Sequence, residues 1–521
     1  MFQKLRELSK NLAIYGLGDA AIQVVNFALL GIYVQYLSRE DYGILALLGS
    51  VEAVTKLFFR WGVDGSFMRF WYDCQDDRAR QRLASTLFFF LLGTNGLLLA
   101  ASVAVSPWLS TWMGAPGYTL ALQLVLLNTF AIGFTFIPFH VLRMQQRARE
   151  FSLLAFARSA ATLMLRLALV VGFGYGVMGV VVADLVVTVV LLAVMVRWFA
   201  PLIRPVFSTD VLRESLSFGL PRIPHGFAQQ VIAVGDKFVL SFLVPLSEIG
   251  LYAMGVSVGL IQKVFLAAFE YAWAPFYYAT VREPGAERVF SAVTTYGVAI
   301  LALMTAGLSA IAADLLHVVT HGQYTAAGGV VAWTSLGVFF QGVYLMTSIG
   351  LNITRRTQYY PVATATAAAA NIGLNVLLIP RYGIMGAAYA NGLAYATQAA
   401  IAYAFSQRFY PVRYEYGRLA RVVGAAIVAY AVGRALPAMD PVLGVLVRGT
   451  TVVVVMAAGL ALGGFFRPEE LRVLETVRRS RATPASPVTP SADTTEFAGE
   501  IVATDLPDEG IAAPTIGERV K

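Results

Sequence analysis

Residues Val177 to Val196 read VMGVVVADLVVTVVLLAVMV, twenty residues that carry a single charge, Asp184. Coiled as an α-helix, the run is about 30 Å long, which matches the hydrocarbon core of a bilayer. The rest of the chain has the same character. Of 521 residues, 58% are hydrophobic and 13% charged, against about 45–50% and about 25% in soluble proteins. One soluble core cannot absorb that much apolar surface, because cores stop growing near ~250–300 residues. An ordinary soluble enzyme is excluded, and lipid is the expected solvent.

Apolar runs between charged or Pro/Gly-rich breaks predict further spans on either side of this one. Those before it lie near 11–37, 43–67, 84–106, 118–141 and 152–172; Val177–Val196 is the sixth. Spans seven to ten follow near 216–243, 249–274, 289–312 and 327–351, and the last four near 358–379, 384–405, 420–436 and 442–466. The expected fold is an all-α membrane protein of about fourteen transmembrane helices. Its expected parts are a six-helix bundle over 1–196, a cytoplasmic connector over 197–215 and a second six-helix bundle over 216–405. Helices 13 and 14 with their cytoplasmic end follow over 406–479. Residues 480–521, rich in Pro, Ser, Thr and acids, read as a disordered tail. Met1–Lys10 is basic, but the apolar stretch behind it runs to Leu37 without an A-x-A site, so it reads as a retained helix, not a cleaved signal.

Loop charge sets the orientation. One alternate set of loops carries 26 Lys and Arg residues; the other carries two, Arg39 and Arg381. The positive-inside rule then places both termini in the cytoplasm. Net charge is +8, and residues 1–481 alone hold 37 bases against 24 acids. Without a soluble basic domain, this excess points to loops, lipid headgroups or an anionic substrate and not to nucleic acid. Cys74 is the single cysteine, so no disulfide or zinc site is expected, and no cofactor is implied.

Two segments repeat at an offset of 207. Tyr42-Gly43-Ile44-Leu45-Ala46-Leu47 corresponds to Ile249-Gly250-Leu251-Tyr252-Ala253-Met254, and the same offset carries Lys56 onto Lys263 and Phe58 onto Phe265. Repeats that run in the same direction about an axis along the membrane normal are a transporter architecture, with the substrate site between the halves. Leu37-Ser38-Arg39-Glu40-Asp41-Tyr42-Gly43, Leu220-Pro221, Asp236-Lys237-Phe238 and Trp273-Ala274-Pro275-Phe276 mark the same spans. Asn371-Ile372-Gly373-Leu374-Asn375 leads on to Gly386-Ala387-Ala388. Together these resemble the Wzx-type polysaccharide flippases, of the superfamily that also holds MATE exporters and lipid II flippases. The resemblance covers about residues 10–465. It implies two pseudo-symmetric bundles around a central cavity, with spans 1, 2, 7 and 8 lining it, and alternating access for a lipid-diphosphate-linked oligosaccharide. Expected partners are that substrate, membrane lipids, H⁺ or Na⁺ as coupling ion, and the polysaccharide polymerase machinery.

Ionisable residues at bilayer depth are costly, near +2.5 to +3.5 kcal/mol at a helix centre on translocon scales, so their positions are informative. Span two carries Lys56 and Arg60, span five Arg158, Thr162 and Arg166, span seven Arg222, His225, Gln229, Asp236 and Lys237, and span eight Lys263 and Glu270. Arg158 and Arg222 lie roughly 9 Å from the cytoplasmic starts of their helices, and Lys56, Arg166 and Lys263 roughly 20 Å in. Lys56, Arg60, Arg158, Arg166, Arg222, Lys237 and Lys263 are the candidate contacts to diphosphate and sugar, since guanidinium and ammonium groups bind phosphate oxygens. Snorkelling to headgroups is the competing reading for Arg60, Arg158 and Arg222, and a buried ion pair for Lys56, Arg166 and Lys263. The acids Asp19, Asp184, Asp236 and Glu270 are candidate ion-coupling groups; they and Glu52 serve equally well as partners of these bases.

Apparently catalytic patterns fail in context. Gly255-Val256-Ser257-Val258-Gly259 fits G-x-S-x-G but falls inside a span, without the strand-to-helix elbow of a hydrolase. His317 and His321 read as solvated loop residues, and no lysine follows a glycine as in a Walker A loop. The expected function is therefore not catalytic. A MATE-like drug/cation antiporter, a lipid II flippase and a membrane glycosyltransferase or polymerase stand as alternatives. The last would need large periplasmic loops, and those here are short.

Overall fold

The computed structural model describes residues 31–467, and among them there is no β-strand. Ten segments are long and apolar enough to cross a membrane. Three more helices, over Ile223–Leu243, Ile384–Phe409 and Tyr416–Ala435, occupy the places of predicted spans seven, twelve and thirteen. Most of span one lies outside the described residues.

Helix α1 (Arg39–Arg60) begins at a capping box: the Ser38 hydroxyl accepts from the Asp41 N–H, and the Asp41 carboxylate accepts from the Ser38 N–H. Two otherwise free N–H groups at the helix start are thereby satisfied. Predicted span two ran unbroken over 43–67, but the helix stops at Arg60. Trp61 and Gly62 both take left-handed backbone angles, with φ 48° and 69°, before α2 (Val63–Asp73) resumes. Such a conformation is unusual for a bulky residue. Here Asn95 of α3 (Asp77–Trp112) holds it, donating to the Phe59 carbonyl at 2.8 Å and accepting from the Trp61 indole at 3.1 Å. Gly62 presses on Gly219, which leaves no room for a side chain at either position.

The first half is completed by α4 (Thr119–Ile132), α5 (Phe136–Met144), α6 (Ala148–Leu167), which runs into a π turn, and α7 (Gly176–Phe199). The connector expected over 197–215 is partly ordered as α8 (Thr209–Gly219). It is tied to α3, where Thr86 Oγ1 accepts from the Ser208 N–H at 3.1 Å and Ser85 Oγ from the Arg204 N–H at 2.8 Å.

The second half runs α9 (Ile223–Leu243), α10 (Leu246–Gly259), α11 (Lys263–Thr280), α12 (Ala286–Thr320), α13 (Gly328–Thr347) and the short α14 (Ile349–Ile353). It ends with α15 (Tyr359–Tyr382), α16 (Ile384–Phe409), α17 (Tyr416–Ala435) and α18 (Pro441–Leu462). His317 sits in the last turn of α12, not in a loop as expected, because the helix extends to Thr320. Helices α17 and α18 pack against α12. Arg448 of α18 reaches Asp314 of α12 at 2.9 Å and donates to the carbonyls of Gly433 and Pro437 at 2.8 and 3.0 Å.

The halves meet along α1, which packs on α10 at one end and on α9 towards the other. In lipid, helices gain little hydrophobic energy from association, so close van der Waals approach through small residues decides where they touch. The repeat supplies that approach. A side-chain carbon at Gly43 would collide with the Leu246 carbonyl oxygen, and one at Gly250 with the Arg39 carbonyl oxygen. Both pairs, 43/250 and 39/246, stand 207 residues apart. Around this crossing, Ile44 and Leu47 of α1, Leu122 of α4, Leu240 of α9 and Ile249 and Tyr252 of α10 form one buried cluster that joins the halves. This end of the molecule is shut.

Candidate functional site

Away from that crossing, α1 presents Gly49, Glu52, Ala53, Lys56 and Arg60 at helical spacing along one face. With Leu57 and with Gln230 of α9, these residues line a cavity of about 430 Å³ between the halves. Arg60 forms an ion pair with Asp64 at 2.9 Å, a partner one turn further on that the sequence reading did not name. Lys56 is half-buried and has no hydrogen bond or ion pair among the described residues. Phe58 and Phe227 meet at 6.0 Å between ring centres beside the cavity, where α1 and α9 approach closely.

A second cavity, of about 560 Å³, lies within the first half. Arg158, Ser159, Thr162 and Arg166 of α6 line one side, Asp184 and Thr188 of α7 another, and Asn128 of α4 with Tyr33, Tyr42 and Glu52 the remainder. Arg166 and Asp184 form a two-pronged pair, Nε to Oδ1 at 2.7 Å and Nη2 to Oδ2 at 2.5 Å. That geometry is the strong form of the guanidinium–carboxylate contact. Arg158 has no such partner among the described residues. Glu52 belongs to both cavities and is the point where they adjoin.

The remaining candidates lie elsewhere. Arg222, exposed at the start of α9, stacks over Phe218 at 4.3 Å, and Arg69 lies over the same ring at 5.1 Å. Asp236 is buried in the second half, where it accepts from the Tyr252 hydroxyl and from the Lys237 N–H at 2.8 Å; the Lys237 ammonium stands 3.9 Å away. Lys263 is half-buried without a polar partner among the described residues and lines neither cavity; Glu270 is exposed. Asp19 lies outside the described residues. The structure thus brings Glu52, Lys56 and Arg60 together between the halves and Arg158, Arg166 and Asp184 together beside them. It does not bring Lys263 or Lys237 to either group.

The shut end carries a latch. Arg39 donates to the Gln323 carbonyl and lies over the Tyr324 ring at 5.7 Å, while Tyr42 meets Tyr324 edge-on at 5.7 Å. Burial pushes the Tyr324 hydroxyl up to about 12, with Arg39 opposing the shift, so it stays uncharged. The G-x-S-x-G stretch is a packing surface: a carbon added at Gly255 would fall 2.8 Å from Val330 Cβ, and one at Gly259 2.6 Å from Thr334 Cβ. Among the described residues no cluster of His, Cys, Asp and Glu is arranged to hold a metal ion.

A family model described as polysaccharide biosynthesis protein matches residues 34–268. No curated protein matches the chain by sequence. Among solved structures, the lipid II flippase MurJ in an inward closed conformation aligns with a TM-score of 0.65 at 14% identity, over 85% of this chain and 98% of that one. An inward-facing multidrug resistance MATE family transporter of the MOP superfamily aligns at 0.61 and 15% identity, over 77% and 98%. The Vibrio cholerae MATE transporter VcmN in its bent form aligns at 0.52 and 13% identity, over 78% and 98%. Of these structures, MurJ is a flippase and the MATE proteins are transporters. The chain thus shares its all-helical fold with these flippase and transporter structures, and its first part matches a polysaccharide biosynthesis family model.

Proposed function

We propose that the protein moves a lipid-diphosphate-linked oligosaccharide, the repeat unit of a polysaccharide, from the cytoplasmic to the periplasmic leaflet of the inner membrane by alternating access. The observation that carries this reading is the cavity between the halves, where Lys56 and Arg60 stand on one face of α1. A diphosphate cannot cross about 30 Å of hydrocarbon without compensating charge, and the Lys56 ammonium, with no hydrogen bond or ion pair among the described residues, supplies it. The same charge would repel a hydrophobic drug cation, which disfavours the antiporter alternative. The loop charges orient the molecule, so the latch at Arg39 and Tyr324 faces the periplasm and the cavity faces the cytoplasmic supply of substrate. An H⁺ or Na⁺ gradient belongs to the proposal as the drive, and the polymerase machinery as the destination.

The test is reconstitution. Purified protein in liposomes should move a fluorescent polyprenyl diphosphate oligosaccharide between leaflets, and Lys56→Ala should slow that movement at unchanged protein level. Movement of a cationic dye in place of the lipid, or full lipid transfer by Lys56→Ala, would overturn the reading.

A further inference from the structure

The cavity within the first half holds polar groups that its charges do not explain. The hydroxyls of Tyr33 and Tyr42 and Oδ1 of Asn128 are buried with no hydrogen-bond partner among the described residues, and all three residues line it. Asn128 is only 5% exposed. Buried polar groups are almost always paired, and each exception calls for an explanation such as a bound ligand. The charged residues do not supply the partners. Arg166 and Asp184 satisfy each other, which leaves Glu52 and Arg158, of opposite sign, and no net formal charge among the described residues lining the cavity. Neither a cation nor a phosphate is favoured there. The cavity offers instead a mixture of donors and acceptors, Tyr33, Tyr42, Asn128, Ser159 and Thr162, with one carboxylate and one guanidinium, in a volume of about 560 Å³. That is the size of a small-ligand pocket, and the mixture suits a neutral ligand dense in hydroxyl groups.

We propose that this cavity is a glycan-recognition pocket, which takes neutral sugar residues by their hydroxyls while the adjoining Lys56 and Arg60 cavity takes the phosphates. Glu52, shared by both, marks the junction between headgroup and glycan. The phosphate part rests on the flippase reading; the sugar part rests on the cavity itself.

The informative variant is Tyr33→Phe/Tyr42→Phe, because it removes two oxygens that no described residue needs. Asn128→Ala serves as a second, independent variant should the first fail to fold. Binding to protein in nanodiscs is measured for polyprenyl diphosphate carrying a neutral hexose trisaccharide, for bare polyprenyl diphosphate, and for the free trisaccharide by saturation-transfer NMR. The expected result is about a tenfold loss for the glycan-bearing lipid, the size of one or two neutral hydrogen bonds, with the bare lipid unchanged and the free-sugar signal lost. Lys56→Ala should weaken both lipids and spare the free sugar. Equal losses for both lipids in the tyrosine variant, or no loss for either, overturn the proposal. If wild-type protein binds neither lipid, the flippase reading fails; a free-sugar signal that disappears in the tyrosine variant would still uphold the pocket, and its absence from wild type would end it.

Discussion

Span two and span eight match at an offset of 207, and the matched positions sit in different surroundings. In the first copy, α1 carries Glu52, Lys56 and Arg60 and opens onto cavities on two sides. In the second, the positions are Gly259, Lys263 and Ala267. Where Glu52 opens a cavity, Gly259 closes one, because the missing side chain lets α10 sit against Thr334 of α13. The interior of the second half also holds neutral contacts beside the Asp236 and Arg448 groups: Asn391 donates to the Ile232 carbonyl at 2.9 Å, Asn375 to Asn371 at 3.0 Å, and Gln262 to the Ser335 carbonyl. Within one pseudo-symmetric frame, the same helix position either holds a charge or brings two helices together.

The most damaging way to break this comparison is at the point both copies share. Gly250→Leu should drive the halves apart at the shut end and lower lipid transfer by about a hundredfold, since overpacking a close contact costs up to about 3 kcal/mol. Spin labels at positions 38 and 323, with Cys74 replaced by Ser, should report a longer distance; wild-type distance and rate would show that the crossing is dispensable. Next in size is the lysine pair. Lys56→Ala should reduce transfer about ten- to a hundredfold, the loss of one or two charge-assisted contacts. Lys263→Ala should stay within about threefold, because Lys263 lines neither cavity. Equal losses would mean that the two copies still act as equals.

Exchanging the diverged residues sharpens the contrast. Gly259→Glu should lower thermal stability in detergent by about 3 kcal/mol, the cost of forcing a charge into a helix contact at bilayer depth. Glu52→Gly should cost about 1 kcal/mol, the loss of helix propensity alone. A reversed order would place the tight packing in the wrong half. The smallest effect belongs to Arg78→Ala, an exposed charge in the first turn of α3. It should change stability by less than about 0.5 kcal/mol and leave transfer unaltered, so a large loss there would point to a contact that the comparison does not include.

Much of this was readable beforehand. Helix periodicity and apolar length mark the spans, and the 207-residue repeat pairs Gly43 with Gly250, but that the two cross is seen only in the structure. The stripe of Lys56 and Arg60 is a local pattern and stands out from its apolar neighbours. What escaped depends on contacts distant in sequence. The break at Trp61 and Gly62 is set by Asn95 on another helix and by Gly219 across the connector, and no local signal in a run as apolar as span two marks it. Arg448 lies inside a predicted span and finds Asp314 across 134 residues. Asn128 is a single neutral side chain in an apolar run; only the cavity it faces gives it significance. The lysine repeat suggested equal roles from equal spacing, and the neighbours of Lys56 and Lys263 differ.

The crossing of α1 and α10 has a further meaning. Gly43 touches Leu246 while Gly250 touches Arg39, so each copy offers the other the same two surfaces with the roles exchanged. That is the isologous contact of a two-fold dimer, in which one patch must be complementary to itself. A half-length protein with a single such glycine would already hold everything needed to form this end of the assembly, and fusing two copies would leave the interface unchanged while freeing every other position to differ.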